Sequence, residues 1–305
     1  MSFTIASTLD DALAALAAGA RPIAGGSDLV VGARHGKAPL PGQLVAIDRI
    51  AELRGVCATD SGVAIGALTS HGELESNALI CDRWSALADG CALVGSPATR
   101  HVGTIGGNVM NASPAMDTGA PLVVLGAEVE LRSQRGSRHV TAADLWTGPG
   151  RTSAAADELC TVVHLPDQGA RSGSAYLRLE YRRAMEIAIV GAAASVSLAD
   201  DGTVACASVA LTAVAPTILA VTGLDTLVGM PVAAAAAAAR AAASEQARPI
   251  SDLRASDDYR RHAVGVMAGR AIEAAARRAA GESIPVPLNR STGIGAAWSS
   301  TGAAS

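Results

Sequence analysis

The chain contains very few aromatic side chains: one Phe, three Tyr and three Trp among 305 residues. Many proteins hold single-stranded nucleic acid by stacking bases on aromatic rings, and this composition does not suit that mode of binding. Basic charge is scarce as well, with 24 Lys and Arg against 28 Asp and Glu, for a net charge of −4. The sequence therefore gives no indication of a nucleic acid or an anionic membrane as partner.

Cysteine is present but is not grouped. No two cysteines form a C-x-x-C pair, and none stands with His at the spacing of metal ligands. An odd, dispersed set argues against a disulfide framework and against a metal or iron–sulfur site held by this chain alone. The five cysteines are Cys57, Cys81, Cys91, Cys160 and Cys206.

Hydrophobic runs long enough to span a bilayer are also missing. The apolar stretch at residues 231–244 is almost all alanine and is interrupted by Arg240, and it is too short to cross a membrane. The N-terminus has neither the basic region nor the apolar stretch of a signal peptide. We therefore expect no membrane span and a cytoplasmic location.

Local patterns predict a mixture of helices and strands. Thr8 is a candidate N-cap with Asp11 at the capping-box position, and leucines follow at helical spacing. An Asp-Asp-Gly turn between two apolar runs predicts a hairpin. Apolar runs predict strands at 63–67, 122–125, 128–131, 159–165, 188–198 and 204–211, and longer stretches predict helices at 232–246 and 257–279.

The same patterns divide the chain into two domains. A polar, Gly/Ser-rich stretch at residues 167–174 is the predicted boundary between them. The residues beyond 286 are rich in Ser, Gly and Ala without periodicity, which predicts a flexible tail. We expect an N-terminal domain over 1–168 with subdomains of about 1–55 and 56–168, a C-terminal domain over 174–282, and the tail over 286–305.

Two glycine-containing segments about eighty residues apart carry the strongest functional signal. Paired glycines let backbone N–H groups approach a bulky anion, so two such segments converging on one ligand would suit a dinucleotide diphosphate. The first segment lacks the G-x-G-x-x-G spacing of a Rossmann fingerprint, and by itself it is equally typical of a tight turn. The first comprises Ile23, Ala24, Gly25, Gly26, Ser27, Asp28 and Leu29; the second comprises Gly103, Thr104, Ile105, Gly106, Gly107 and Asn108.

The second segment is the more specific of the two. Thr104 and Asn108 flank three backbone positions with hydroxyl and amide groups, and the chain continues through Ser113 and Pro114 to Asp117. The carboxylate of Asp117 is able to accept a hydrogen bond from a ligand that carries hydroxyl groups. These residue types favour a ligand-binding loop over residues 103–108.

Together, the two segments and the stretch from Asn111 to Asp117 resemble the FAD-binding subunit of the molybdenum hydroxylases. That family includes the medium subunit of aerobic carbon monoxide dehydrogenase and the flavin portion of xanthine dehydrogenase. The stretches at 176–191 and 252–261 are similar to the C-terminal domain of the family. The likeness covers about residues 4–280 in order. It implies an α+β fold, with a two-subdomain PCMH-type FAD-binding domain followed by antiparallel sheet plus helices.

The resemblance also implies roles for individual residues. Residues 23–29 and 103–108 match the segments that wrap the FAD diphosphate and ribityl chain. Asp117 matches an acid that hydrogen-bonds the hydroxyls of the cofactor, and Val94 falls where the family places a residue against the flavin. Arg178 matches a basic position able to face the polar edge of the flavin, where a cation would stabilise the reduced form. A surface salt bridge is the alternative role for Arg178.

The family's known role implies that this chain is an oxidoreductase subunit that relays electrons through FAD. It implies an iron–sulfur small subunit and a molybdenum-pterin large subunit as partners, arranged as a dimer of heterotrimers, with [2Fe-2S] clusters and the molybdenum cofactor on those partners. Two other hypotheses stay open at this point. One is a stand-alone flavin reductase of the same flavin fold, and the other is a non-catalytic nucleotide-binding module.

Overall fold

The N-terminal unit is a small parallel sheet covered by a capped helix, in a computed structural model that describes residues 2–36 and 39–291. The Thr8 hydroxyl accepts from the backbone N–H of Asp11, and the Asp11 carboxylate accepts from that of Thr8, so the predicted capping box is confirmed. The helix leucines bury against the sheet, whose order is β1-β3-β2. The elements are β1 (Ser2–Ile5), α1 (Leu9–Ala17), β2 (Arg21–Ile23), α2 (Ser27–Arg34) and β3 (Gln43–Ala46).

A five-stranded antiparallel sheet follows a 3₁₀ turn at Ala51–Leu53, and a two-stranded hairpin accompanies it. Val129 and Leu131 face the core, while Glu128, Glu130 and Arg132 alternate onto the other face. The strands are β4 (Val56–Thr59), β5 (Gly62–Gly66), β6 (Glu128–Ser133), β7 (Gly136–Thr141), β8 (Trp146–Gly148), β9 (Arg151–Thr152) and β10 (Leu159–Pro166). The large sheet has the order β4-β5-β10-β6-β7, with the hairpin formed by β8 and β9.

Short helices cover the inner face of this sheet. The strand predicted at residues 122–125 is wrong, because this run lies in a helix packed between short helices of the N-terminal domain and the sheet of the C-terminal domain. A short apolar run that is buried on all sides has no periodicity by which to tell helix from strand. The helices are α3 (His71–Ser76), α4 (Ala78–Arg83), α5 (Ser85–Leu93), α6 (Pro97–Val102), α7 (Ile105–Asn111), α8 (Gly119–Val124) and α9 (Ala142–Leu145).

The C-terminal domain is a four-stranded antiparallel sheet packed against two long helices, which confirms the predicted architecture. Small residues let those helices approach closely: a Cβ on Gly265 would lie 2.7 Å from the Arg240 carbonyl oxygen. The sheet order is β11-β12-β13-β14, and a 3₁₀ turn spans Leu224–Leu227. The elements are β11 (Ser172–Leu179), β12 (Val190–Leu198), β13 (Val204–Thr212), β14 (Leu219–Ala220), α10 (Val232–Gln246), α11 (Asp257–Ala279) and α12 (Leu288–Ser291).

The prediction of a flexible tail is wrong for residues 286–291. The Leu288 side chain is fully buried in the C-terminal core, and its backbone N–H donates to Asp89 at 2.9 Å. Asn289 exchanges two hydrogen bonds with the backbone of Arg178. These contacts hold the segment because they satisfy polar groups that burial would otherwise leave without partners. Residues 292–305 lie outside the described part of the chain.

Across residues 2–36 and 39–291, no helix combines the length and the apolar character that crossing a membrane requires. The predicted cytoplasmic location stays a prediction.

Candidate functional site

The two glycine segments meet in the folded protein. A Cβ on Gly25 would lie only 1.7 Å from the Val102 carbonyl oxygen, so the backbones at Gly25 and at residues 102–103 are in direct contact. The Ser27 hydroxyl, also from the first segment, lies 3.6 Å from where a Cβ on Gly103 would stand. Only glycine permits so close an approach of two backbones. The segments therefore converge, as the two-segment hypothesis requires.

The first segment is the turn from β2 into α2. Gly26 is the N-cap of α2 and has a left-handed backbone with φ of 70°, which favours glycine. Gly26 has no side chain with which to cap the helix. Ser27 and the exposed Asp28 begin the helix, and the half-buried Leu29 follows. A helix N-terminus of this kind is suited to binding an anion.

The second segment forms the start of α7, so the prediction of a loop over residues 103–108 is wrong. Thr104 is its N-cap and its hydroxyl accepts from the Gly107 N–H at 3.1 Å. The N–H groups of Ile105 and Gly106 donate to backbone carbonyls of residues 69 and 67. The first N–H groups of a helix have no partner within the helix. Here these hydrogen bonds satisfy them and hold the start of α7 in place.

Gly106 and Gly107 differ in what surrounds them. A Cβ on Gly106 would stand 2.6 Å from the Ala67 Cβ, so glycine at this position permits protein packing. A Cβ on Gly107 would meet only the Thr104 hydroxyl, at 2.9 Å, and Gly107 is exposed. The described protein atoms leave the space beside Gly107 open. Glycine at this position would let a ligand approach the backbone closely, because no side chain stands in the way.

His71 lies buried directly beneath the second segment. Its backbone N–H donates to the Gly103 carbonyl at 3.0 Å, and its ring lies 3.3 Å from where a Cβ on Gly103 would stand. Burial lowers the pKa of His71 to about 4, and the nearby Arg100 guanidinium adds to this effect. The imidazole is therefore neutral near pH 7 and supports the segment by packing.

Asp117 and Arg178 contact each other at the junction of the two domains. Arg178 Nη1 donates to Asp117 Oδ2 at 2.5 Å, and the Tyr176 hydroxyl donates to Asp117 Oδ1 at 2.9 Å. Arg178 Nε also donates to Glu180 at 2.7 Å. The Arg178 side chain is fully buried, so the alternative of a surface salt bridge is wrong, and the pairing is an internal one between domains.

The titration of Asp117 gives a test of this cluster. Burial raises the pKa of Asp117 from 3.8 to about 6, because lost hydration outweighs the attraction of Arg178. Between these values the folded protein keeps a proton that the unfolded chain has released, so the contribution of Asp117 to stability falls as pH rises. We expect the free energy of unfolding of the wild type, relative to Asp117→Asn, to fall by on the order of 2 kcal/mol from pH 4 to 7. Urea unfolding of the apo-protein at several pH values measures this, and a difference that does not change with pH contradicts it.

Val94 lies beside a second contact between the domains. It is half-buried at the C-terminal end of α5, and α6 connects it to the second glycine segment. The carbonyl of the next residue, Gly95, accepts from the Met185 N–H at 3.1 Å, and Met185 Sδ lies 3.8 Å from the Thr99 hydroxyl. The structure thus places Val94 where the segment at 181–187 meets the N-terminal domain.

Sequence reasoning missed several residues that build the site. Thr118 is fully buried and donates to the Asn108 side-chain oxygen at 2.5 Å, which joins the second segment to the stretch that contains Asp117. Its position next to Asp117 was the only sequence feature that could have pointed to Thr118. Tyr176 and Glu180 belong to a stretch that had been noted only for its family likeness. His71 and Met185 act through contacts between distant parts of the chain, and no local pattern indicates such contacts.

Comparison with known families agrees with this geometry. Residues 1–168 match the family described as FAD binding domain in molybdopterin dehydrogenase, and residues 175–275 match the CO dehydrogenase flavoprotein C-terminal domain. The chain belongs to the FAD-binding medium subunits of the molybdenum hydroxylase family. It is a flavoprotein subunit of an oxidoreductase, and its cofactor is FAD.

Individual relatives of this medium subunit are similar over most of their length. The xanthine dehydrogenase FAD-binding subunit of Escherichia coli O157:H7 is 31% identical over 296 residues, covering 92% of this chain and 98% of the relative. The carbon monoxide dehydrogenase medium chain of Afipia carboxidovorans is 34% identical over 262 residues, covering 85% and 90%. The solved carbon monoxide dehydrogenase of Hydrogenophaga pseudoflava that lacks the Mo-pyranopterin moiety superposes with a TM-score of 0.86 at 31% identity, covering 91% and 98%. The predicted fold is confirmed.

Proposed function

We propose that this FAD-binding subunit is the electron relay of a heteromeric molybdenum hydroxylase. It would take electrons from iron–sulfur clusters on a small partner subunit and pass them to an external acceptor, while substrate is oxidised at a molybdenum-pterin centre on a large partner subunit. FAD exchanges electrons singly or in pairs, and this is the chemistry that the cofactor supplies when bound. The observation that carries the proposal is the contact of the two glycine segments at Gly25 and Gly103.

The residues present fit a bound dinucleotide. The N-terminus of α2 presents the positive end of a helix dipole, which favours a diphosphate. The open space beside Gly107 permits close approach of a ligand to the backbone of α7. We propose that residues 23–29 and 103–108 hold the cofactor in this way. Val94, Asp117 and Arg178 stay predicted contacts, and the last two would act within their buried cluster.

The cysteines of this chain favour partners that supply the iron–sulfur clusters. Cluster ligands are thiolates, and a thiol that resists deprotonation serves poorly. Burial raises the pKa of Cys160 to about 12 and raises the pKa of Cys91 well above its ordinary value. Cys57 and Cys206 are exposed on different domains. We therefore propose that partner subunits carry the clusters. The dimer of heterotrimers that the family resemblance implies stays a prediction.

Reconstitution with the partner subunits tests the relay. When the reduced iron–sulfur subunit is mixed with the FAD-loaded chain, we expect the visible absorption of oxidised flavin to bleach. The same mixture with an FAD-free chain should show no corresponding change and should leave the acceptor oxidised. Analytical ultracentrifugation of the co-expressed complex checks the subunit ratio. A flavin that stays oxidised beside a reduced partner contradicts the relay.

A stand-alone flavin reductase is the second candidate. Such an enzyme would reduce a small substrate with NADH or NADPH in the absence of any partner. We expect the purified chain to turn over no substrate on its own, although its flavin is present. Steady-state assays with each nicotinamide donor, with and without the partner subunits, separate the two candidates.

A further inference from the structure

Three side chains that can bind metal converge on the outer face of the five-stranded sheet. In the β6–β7 ladder, Glu130 stands directly opposite His139. In the β10–β6 ladder, His164 stands opposite Glu128, which lies two residues from Glu130 and therefore on the same face. Antiparallel register thus brings residues from three adjacent strands together. Their separation in sequence, from 130 to 164, conceals the grouping.

The ligand atoms lie close together. One ligand atom each from Glu130, His139 and His164 falls within 4.8 Å of the others. His164 Nε2 lies 3.9 Å from Glu130 Oε2, and the two imidazole rings are 5.2 Å apart between centroids, with a tilt of 38°. A tetrahedral zinc ion with nitrogen or oxygen ligands at about 2.0–2.2 Å would need these atoms somewhat closer. The His139 side chain is half exposed and has room to make that adjustment.

Two details distinguish this cluster from an ordinary solvated sheet face. His164 Nε2 is itself buried and has no hydrogen-bond partner among the described residues, which leaves a buried lone pair or proton unsatisfied. The Thr161 hydroxyl donates to Glu130 Oε1 at 2.9 Å, which fixes the carboxylate while Oε2 faces His164. Metal sites commonly orient a ligating carboxylate through such an outer hydrogen bond.

We propose that Glu130, His139 and His164 bind one divalent transition-metal ion of the Zn²⁺ class. Two imidazoles and one carboxylate suit such an ion better than Mg²⁺ or Ca²⁺, which prefer oxygen ligands only. Water or the adjacent Glu128 carboxylate, 3.9 Å from His139, completes four-coordination. The bound ion joins the strands β10, β6 and β7 and stabilises the sheet. This site is separate from the glycine segments and does not depend on flavin binding.

Titration of the full-length, FAD-loaded chain with metal tests the proposal. After chelator treatment, we expect calorimetry with Zn²⁺ to show one equivalent bound, and Co²⁺ to give the visible bands of a tetrahedral nitrogen–oxygen site. Loss of a residue that only hydrogen-bonds a metal ligand lowers metal affinity by roughly 10- to 100-fold. His139→Gln and His164→Gln remove ligands themselves, so each should lower the affinity by more than that. Thr161→Val should lower it within that smaller range. His262→Gln, at an exposed position on α11, is the matched control and should bind as the wild type does.

The outcomes separate clearly. Metal binding that fails in the two histidine variants but persists in His262→Gln supports the site, provided that circular dichroism and flavin content are unchanged. A rise in the wild-type melting temperature with Zn²⁺, absent from the same variants, supports the joining of strands. A thiolate-to-cobalt charge-transfer band would assign the ion to an exposed cysteine and overturn the proposal. Wild-type protein that binds no metal, or variants that bind it equally well, would overturn it too.

Discussion

The variant Gly107→Val is expected to fold normally and to lose its FAD. A Cβ at this position would stand 2.9 Å from the Thr104 hydroxyl, so this N-cap group must shift, while the rest of the side chain projects into open space. The branched side chain would instead fill the space through which a ligand reaches the backbone of α7. We expect little change in the circular dichroism of the apo-protein, a loss of stability of about 1 kcal/mol from the displaced N-cap hydroxyl, and near-complete loss of flavin after desalting.

The ratio of flavin to protein, read from the visible and ultraviolet absorption of each variant, is the measurement. Gly32→Ala is the matched control, because a Cβ there meets nothing within 4 Å and Gly32 lies in the interior of α2. It should retain FAD and gain about 0.5–1 kcal/mol of stability from the better helix propensity of alanine. Gly25→Ala should instead perturb both fold and flavin, because its Cβ would collide with the Val102 carbonyl. Undiminished flavin in Gly107→Val would mean that the second segment does not hold the cofactor.

The variant Arg278→Ala should destabilise the protein by about 3–5 kcal/mol, the cost typical of leaving one charge of a buried pair without its partner. Arg278 on α11 reaches across the domain junction to Asp89 on α5, with Nη1 at 2.6 Å and Nη2 at 3.1 Å from the two carboxylate oxygens. Asp89 is fully buried and also accepts from the backbone N–H groups of Tyr176 and Leu288. Burial alone raises the pKa of Asp89, and the Arg278 guanidinium opposes that rise.

Chemical denaturation monitored by tryptophan fluorescence checks this expectation. The neighbouring Arg277→Ala is the matched control, since Arg277 pairs with Glu282 at the surface and its loss should have a small effect. Asp89→Asn keeps only one acceptor oxygen and leaves the buried Arg278 guanidinium without its counter-charge, so it should also be strongly destabilising. If Arg278→Ala were no more harmful than Arg277→Ala, the buried pair would not be what joins the two domains.

Much of the fold was predictable because its signals are local. The capping box at Thr8 and the long helices α10 and α11 rest on side chains within a few residues of one another. The run at 122–125 was assigned to the wrong element, since burial on every side removes the periodicity that separates helix from strand. The segment at 286–291 was missed for a related reason: its order comes from Asp89 and Arg178, which are remote in sequence.

Residue patterns alone identified two glycine segments, with Asp117 following the second, as a family signature for FAD. The contacts that these residues make within the protein are visible only in the folded chain. Gly25 is glycine because a distant carbonyl touches it and Gly106 because Ala67 does, whereas the space beside Gly107 is largely open among the described atoms. Asp117 and Arg178, two separately predicted ligand contacts, turned out to bind each other between domains. Backbone proximity and burial are set by contacts between remote parts of the chain, and those contacts exist only after folding.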